Sequence, residues 1–191
     1  MATPLKEDEF GMAIYDSEYP LIDADPHFSR VVRYMRPSDY LVWAGVAAVS
    51  PLVSGYMEHP FYTRFASNLK DTLIGYGQAV KQGHTRWGPL PSVALGIVGG
   101  FIVAYSRSSG RFLGVSENER ERKKDLYELR MRVLMGKPLY GTSSLHPDLQ
   151  KICASYSRYA YSMTGIIPIF NFVNHPYHGV DTSKYYKVLE K

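Results

Sequence analysis

Two short groups of polar residues have the types and spacing that metal-dependent chemistry uses. His175 and His178 stand three residues apart with Asp181 following, and imidazole and carboxylate groups together can bind zinc. Asp23 and Asp25 form a DxD pair resembling those that hold a metal-bound nucleotide in some transferases. The histidines lie among Pro and Gly with no supporting polar residues in view, and short acidic pairs are common. We therefore expect neither group to bind a metal.

Other catalytic motifs are incomplete in this sequence. Gly75-Tyr76-Gly77 lacks the third glycine of a dinucleotide-binding fingerprint, and no predicted strand precedes it. Neither a P-loop nor a nucleophile elbow occurs. Cys153 is the only cysteine, which excludes an internal disulfide framework and any cysteine cluster for zinc or iron–sulfur. We therefore expect no catalytic residue, metal or bound cofactor, and no enzyme activity of the chain by itself.

Charge is unevenly distributed along the chain. Residues 1–39 carry four basic and eight acidic side chains, residues 58–86 four and two, and residues 107–191 fourteen and eight. The resulting charges of −4, +2 and +6 add to the net charge of +4. Such modest local charges, without any nucleic-acid-binding motif, favour an anionic surface or protein partner over nucleic acid.

Two long runs without Asp, Glu, Lys, Arg or His organise the chain. They cover residues 40–57 and 87–106, which are 18 and 20 residues long. A membrane span needs about 20 mostly apolar residues, and about 17 suffice. Aromatic residues of the kind found at membrane interfaces bracket the runs, namely Tyr40, Trp43, Tyr56, Trp87 and Tyr105. We predict a mainly α fold with a transmembrane helical hairpin and no globular enzyme domain. The alternative is a pair of core helices in a soluble domain, for which the remaining chain offers too little apolar surface.

Small residues recur at every fourth position of the second run. The stripe consists of Ser92, Gly96, Gly100 and Ala104, and the first run repeats the spacing with Ala44 and Ala48. Small residues at this spacing allow another helix backbone to approach closely. The stripe therefore predicts helix packing, either within the hairpin or against other subunits.

The spans divide the rest of the chain into an extended N-terminal segment at residues 1–39, a connecting loop at 58–86 and an extramembrane part at 107–191. In the first segment we expect a short helical turn capped by Asp25, with Pro26 at its first position. In the last part, the residues from Ser116 to Glu119 form a capping box opening a charged helix that ends before Gly136. A narrow apolar stripe on it contains Leu126, Leu129, Val133 and Leu134.

We predict a further helix over residues 147–163. The apolar stretch 165–173 is too short to span a membrane, so it is either a membrane-interface segment or an anchor buried in a partner.

Positive charge near the spans is greater on the side of the two termini than in the loop. Nine basic residues against four predict that the termini lie on the positive side of the membrane.

Two longer blocks resemble a known family. The first runs from Tyr19 through Asp23-Ala24-Asp25-Pro26-His27 to Arg36-Pro37-Ser38-Asp39-Tyr40, and the second from Pro168 through Asn171 and His175 to Tyr186. Both are similar to the fungal accessory subunit of about 21 kDa of mitochondrial NADH:ubiquinone oxidoreductase, complex I. The docking residues that this resemblance implies are Tyr19, Pro20, Asp23, Asp25, Pro26, His27, Arg36, Pro37, Asp39, Phe170, Asn171, Phe172, Asn174, His175, His178, Gly179, Asp181, Tyr185 and Tyr186.

The resemblance implies a non-catalytic subunit of the membrane arm in the mitochondrial inner membrane. FMN, iron–sulfur clusters and ubiquinone would be bound by other subunits, and this chain would contact core membrane-arm subunits and phospholipids. One alternative is a free-standing inner-membrane carrier or import component, and another is a complex I assembly factor. A membrane-bound enzyme that uses the acidic pair or the two C-terminal histidines is the last of the alternatives.

Overall fold

The computed structural model describes residues 4–7, 13–15, 17–58, 89–158, 168–187 and 189. Two short strands, β1 (Pro4–Glu7) and β2 (Ala13–Tyr15), pair antiparallel with Pro4 opposite Tyr15. Within the described residues, six helices follow them: α1 (Phe28–Arg33), α2 (Pro37–Glu58), α3 (Pro89–Phe112), α4 (Glu119–Leu134), α5 (Pro147–Ser157) and α6 (Ser183–Tyr186). The described part is mainly helical, as the sequence predicts. The connecting loop, the glycine pair at 75–77 and the end of the helix predicted over 147–163 lie outside these residues.

The chain divides into two compact units. A helix-pair unit covers residues 36–104, and a terminal unit combines residues 1–35 with residues 105–191. The terminal unit therefore brings together the second block of the family resemblance and residues 19–35 of the first block, although about 130 residues separate them in the sequence.

In the helix-pair unit, α2 and α3 contact each other through small residues and two side-chain hydrogen bonds. The Trp43 indole nitrogen donates to the Ile97 carbonyl oxygen at 2.8 Å, and the Ser50 hydroxyl donates to the Ser92 carbonyl oxygen at 2.8 Å. Because the earlier residue of α2 meets the later residue of α3, the two helices run antiparallel. Pro51 lies within α2 without ending it.

The outward faces of α2 and α3 are apolar. On α2 the side chains of Leu41, Val49 and Val53 are exposed, and on α3 those of Leu95, Val98 and Val103 are exposed. Among the described residues, one helical stretch, Ser92–Phe112, is both long and apolar enough to cross a membrane. The two-span hairpin remains a prediction, because that criterion does not select α2.

The core of the terminal unit joins α4, α6 and the segment between α4 and α5. Leu129 and Val133 of α4 pack with Tyr185 of α6, with Leu139 and Tyr140 alongside. One face of the charged helix α4 is buried. Asp125, Leu129 and Val133 lie on that face at four-residue intervals.

Two of the predicted helix caps are wrong. Helix α1 begins at Phe28, and its N-cap is His27, whose ring accepts a hydrogen bond from the Ser29 amide, because Asp25 is engaged elsewhere. Helix α4 begins at Glu119 without the predicted capping box. Its preceding residue, Asn118, turns its amide inward instead and donates to the carbonyl oxygens of Pro20 and Arg111.

Backbone hydrogen bonds hold the N-terminal block between the end of α3 and the C-terminal block. The Ile22 amide donates to the Phe112 carbonyl oxygen at 2.9 Å, and the Ala24 amide donates to that of His178 at 3.0 Å. The Phe28 amide donates to the Asn171 carbonyl oxygen at 2.7 Å. The C-terminal block is therefore docked on this chain's own N-terminal block.

Candidate functional site

A buried charge cluster connects the N-terminal and C-terminal blocks of the terminal unit. At its centre Asp23, which is fully buried, forms an ion pair with Arg30 of α1 and accepts a hydrogen bond from the ring of His178 at 2.7 Å. Arg30 forms a second ion pair, with Asp125 of α4. The hydroxyl of Tyr185 donates to Asp125 at 2.7 Å. The cluster thus joins three segments that are distant in the sequence, around residues 23–30, 125 and 178–185.

The hydrogen bonds of His178 define its charge. Its Nδ1 faces the Asp23 carboxylate at 2.7 Å, and its Nε2 faces the carbonyl oxygen of His175 at 2.8 Å. Neither partner can donate, so both ring nitrogens must carry hydrogen and the ring is an imidazolium cation. The ring also stacks on Tyr140 with 3.6 Å between centroids, and a cation is favoured on an aromatic face.

His175 has the opposite assignment. Its Nδ1 accepts a hydrogen bond from the Tyr177 amide at 3.2 Å, and its Nε2 lies 2.9 Å from the carboxylate of Asp25. One nitrogen therefore accepts and the other donates, which makes this ring neutral. Asp25 also accepts a hydrogen bond from the Ser157 hydroxyl, and its backbone oxygen accepts from the Asn171 amide group at 3.2 Å.

The environment of the cluster stabilises its ionised groups. Burial by itself would raise the pKa of Asp23, but the charge and hydrogen bond of His178 and the charge of Arg30 outweigh burial and hold that pKa below its ordinary value. The Arg30 guanidinium lies 5.3 Å from the ring centre of Phe112 and 5.6 Å from that of Tyr140. Burial, reinforced by Tyr140, raises the pKa of Tyr185, so its hydroxyl stays protonated and can donate.

The polar atoms of the cluster are engaged within this chain. Asp23, Asp25, His175 and His178 are all at least 97% buried, and each uses its polar atoms on another group of this chain. Within the described residues, no three His, Cys, Asp or Glu side chains are arranged to hold a metal ion. Asp181, the third residue of the candidate zinc group, is exposed and binds the amide and hydroxyl of Ser183.

Comparison with known proteins gives matches over both parts of the chain that carry the resemblance. Residues 16–117 match the family described as NADH-ubiquinone oxidoreductase complex I, 21 kDa subunit. Residues 126–191 match the C-terminal part of the same 21 kDa subunit. The chain belongs to this family. It is also 41% identical over 176 residues to the NADH-ubiquinone oxidoreductase 20.9 kDa subunit of Neurospora crassa, a match that covers 92% of this chain and 85% of the relative.

Many docking residues implied by the resemblance to the 21 kDa-subunit family are buried within the fold of this chain. The buried ones are Asp23, Asp25, Pro26, Asp39, Asn171, His175, His178 and Tyr185. The half-buried ones are Tyr19, His27, Arg36, Phe170 and Asn174, and the exposed ones are Pro20, Pro37, Phe172, Gly179, Asp181 and Tyr186. Docking on another subunit stays a prediction, and the exposed residues of this set are the ones that another subunit could contact.

The stripe of small residues lies where α3 meets α2. A side chain at Gly96 would meet Ser50 at 2.6 Å, and one at Gly100 would meet the Trp43 carbonyl oxygen at 2.7 Å. Ser92 and Ala104 are also buried, whereas Ala44 and Ala48 lie on the exposed face of α2. Packing of Ala44 and Ala48 against a helix of another subunit therefore stays a prediction.

Several residues of the cluster were not identified from the sequence. Asp125, Tyr140 and Arg158 belong to it or adjoin it, and Arg158 is buried with its guanidinium against Gly179. Asp125 had a detectable signal, because it precedes Leu129 and Val133 at helical spacing on the face that the apolar stripe buries. Tyr140 and Arg158 had no such signal in the sequence, since their neighbours come from other segments.

The low pKa of Asp23 predicts acid lability. A carboxylate whose pKa is lower in the folded than in the unfolded state stabilises the fold above the unfolded pKa, and this stabilisation is lost as pH falls through the folded pKa. We expect the free energy of unfolding of the full chain in detergent to fall as pH drops below about 4. Asp23→Asn should flatten that decline, and an unchanged decline in this variant would contradict the assignment.

Gly179 is predicted to tolerate alanine poorly. It has φ of 64°, and a Cβ there would lie 2.4 Å from the guanidinium of the buried Arg158. Gly136 has nearly the same φ of 63° but open space around it, so Gly136→Ala isolates the backbone strain of about 1–2 kcal/mol. We expect Gly179→Ala to lower the free energy of unfolding by more than Gly136→Ala does. Equal losses would show that Arg158 is free to move away.

Proposed function

We propose that this chain is a non-catalytic accessory subunit of the membrane arm of mitochondrial complex I, in which it supports assembly and stability. Membership of the 21 kDa-subunit family is the observation that carries the proposal. NADH oxidation, with its FMN and iron–sulfur clusters, and ubiquinone reduction belong to other subunits. Core membrane-arm subunits and inner-membrane phospholipids are the partners of this chain.

In this proposal both α2 and α3 cross the inner membrane, with the termini on the matrix side. The exposed apolar side chains of Leu41, Val49, Leu95 and Val98 support it, because exposed aliphatic surface on two adjacent helices is stable in lipid or against apolar protein. Residues 40–57 contain no Asp, Glu, Lys, Arg or His, and a span without these charged groups has no proton relay of its own.

The terminal unit would supply the attachment to neighbouring subunits. Its buried cluster supports this role, because Asp23, Arg30 and His178 fix the two terminal blocks against each other and so define one rigid surface. Exposed family residues such as Phe172 and Tyr186 lie on that surface. A preformed surface loses less conformational entropy on binding than two separate flexible tails would lose.

The proposal is tested by native electrophoresis of gently solubilised mitochondrial membranes. The gel is probed for this chain and stained for NADH dehydrogenase activity. We expect the chain to migrate with the active complex. Migration only as a small separate species would contradict the proposal and favour a free-standing carrier. Migration with inactive partial complexes alone would favour an assembly factor.

A further inference from the structure

The terminal unit carries a groove that the proposed attachment does not use. It has a volume of about 620 Å³ and lies along the outer face of α4, bounded by the segment that follows that helix. Its apolar floor is formed by Tyr127, Met131 and Met135, which recur every fourth residue. Tyr127 is 68% exposed and Met135 is 58% exposed, whereas Leu129 on the opposite face is buried.

Basic residues surround this apolar floor. Arg33, Arg132 and Lys137 line the groove together with one acid, Glu128, which gives a net charge of +2. Glu128 is already shared by Arg33 at 3.0 Å, the hydroxyl of Tyr34 at 2.9 Å and Lys124 at 4.0 Å. Arg132 donates one hydrogen bond to the Leu139 carbonyl oxygen. Within the described part of the chain, neither Arg132 nor Lys137 has a carboxylate partner, so both attract an anion.

We propose that this groove binds the headgroup region of an anionic phospholipid, an inference that rests on the proposed membrane function. Charge complementarity selects an anionic ligand, and the floor of Met and Tyr side chains selects one with an adjoining apolar part. A phosphodiester keeps its charge at all physiological pH values, and Arg and Lys bind it through charge-assisted hydrogen bonds.

The place of the groove in the sequence favours a lipid over an acidic peptide. Arg33, one of the three basic residues of the groove, lies four residues before Pro37, where the helix proposed as the first span begins. Basic residues next to a span attract anionic lipids, each contributing about 1 kcal/mol near the surface. An extended peptide bound along the groove would also need backbone partners, and α4 uses its own backbone groups within the helix.

The test uses the full chain reconstituted into phosphatidylcholine nanodiscs containing a photoactivatable analogue of either phosphatidylglycerol or phosphatidylcholine. Labelled peptides are identified by mass spectrometry. We expect the phosphatidylglycerol analogue to label residues 127–142 several-fold more than the phosphatidylcholine analogue does. Inorganic phosphate added in excess should not compete, because a free anion lacks the apolar part. Competition by phosphate would overturn the lipid assignment in favour of an anion site.

Three variants make the test specific. Lys137→Glu should lower the labelling about five-fold or more. Met135→Glu should also lower it, because it places a charge in the apolar floor of the groove. Lys151→Glu, at an exposed lysine of α5 outside the groove, should leave it unchanged. Equal labelling by both analogues, or equal effects of the two lysine variants, would overturn the inference. So would a cross-link from position 137 to another subunit in the intact complex.

Failure of the lipid inference and failure of the proposed function have different signatures. If labelling is absent while the wild-type chain still migrates with active complex I, the groove inference is wrong and the proposed function stands. If the wild-type chain does not migrate with the complex, the proposed function is wrong. Unchanged reactivity of Cys153 in each variant shows that the fold is intact.

Discussion

Asp23→Asn is expected to lower the free energy of unfolding of the chain by about 3–5 kcal/mol, the usual effect of removing one partner from a buried ion pair. Asp23 is fully buried and is the carboxylate that faces both Arg30 and His178. An amide in its place can still accept hydrogen bonds, but it cannot balance two buried cations. The steric change is minimal, so the loss measures charge.

The measurement is urea unfolding of the full chain in mild detergent, followed through a thiol-reactive dye. Cys153 is the only cysteine and is half-buried, so its reactivity reports the opening of the terminal unit. Asp148→Asn is the matched control, because Asp148 is 84% exposed and its replacement should change stability by no more than about 0.5 kcal/mol. If both variants lost the same stability, the cluster would not hold the two blocks together.

A double-mutant cycle tests the imidazolium assignment. His178→Gln and Asp23→Asn each leave an unbalanced charge, whereas the double variant removes an anion and a cation together. We therefore expect the double variant to lose less stability than the sum of the two single losses, with a coupling of about 0.5–3 kcal/mol. A coupling near zero would mean that the His178 ring is neutral.

Gly100→Leu should prevent normal packing of α2 against α3. Even the first atom of the new side chain would lie 2.7 Å from the Trp43 carbonyl oxygen and 2.8 Å from its ring. Gly96→Leu would similarly collide with Ser50. Overpacking of this kind costs about 1–3 kcal/mol at each site, and separating the helices would also break the hydrogen bond from Trp43 to Ile97.

Gly99, on the same helix α3, provides the control for this prediction. Gly99 is the neighbour of Gly100, and a side chain there would meet nothing within 4 Å. Gly99→Leu therefore adds the same apolar volume to the same helix without affecting the contact with α2. We expect Gly96→Leu and Gly100→Leu to reduce the amount of chain found with complex I on native gels, and Gly99→Leu to leave it unchanged. Equal incorporation of all three variants would contradict the packing account.

The helix pair was largely predictable because its determinants are local. A run of 20 residues without charge predicts a long helix, and small residues four apart mark one face of it. The same local rules could not assign a packing partner to Ala44 and Ala48, because spacing alone does not say which face of α2 meets α3. Trp43 and Ser50 occupy that face instead, since their hydrogen bonds to α3 select it.

The terminal unit was less predictable because its determinants are long-range. Asp25 was expected to cap α1, but it is used by His175 and Ser157, which are more than 130 positions away. Asn118 has the residue type and position of a helix cap, yet its side-chain amide donates to the carbonyl oxygens of Pro20 and the buried Arg111. Local propensity fails at these positions because leaving buried polar groups of another segment unpaired would cost more than a lost cap.

The central claim is that this chain stabilises complex I without taking part in its chemistry. The most direct test measures assembled complex I, and NADH:ubiquinone activity per assembled complex, in cells lacking the chain and in cells expressing wild type or Gly100→Leu. The account predicts that loss of the chain, or Gly100→Leu, lowers the amount of assembled complex and leaves the activity of each assembled complex unchanged. Full assembly with activity lost from each complex would contradict it.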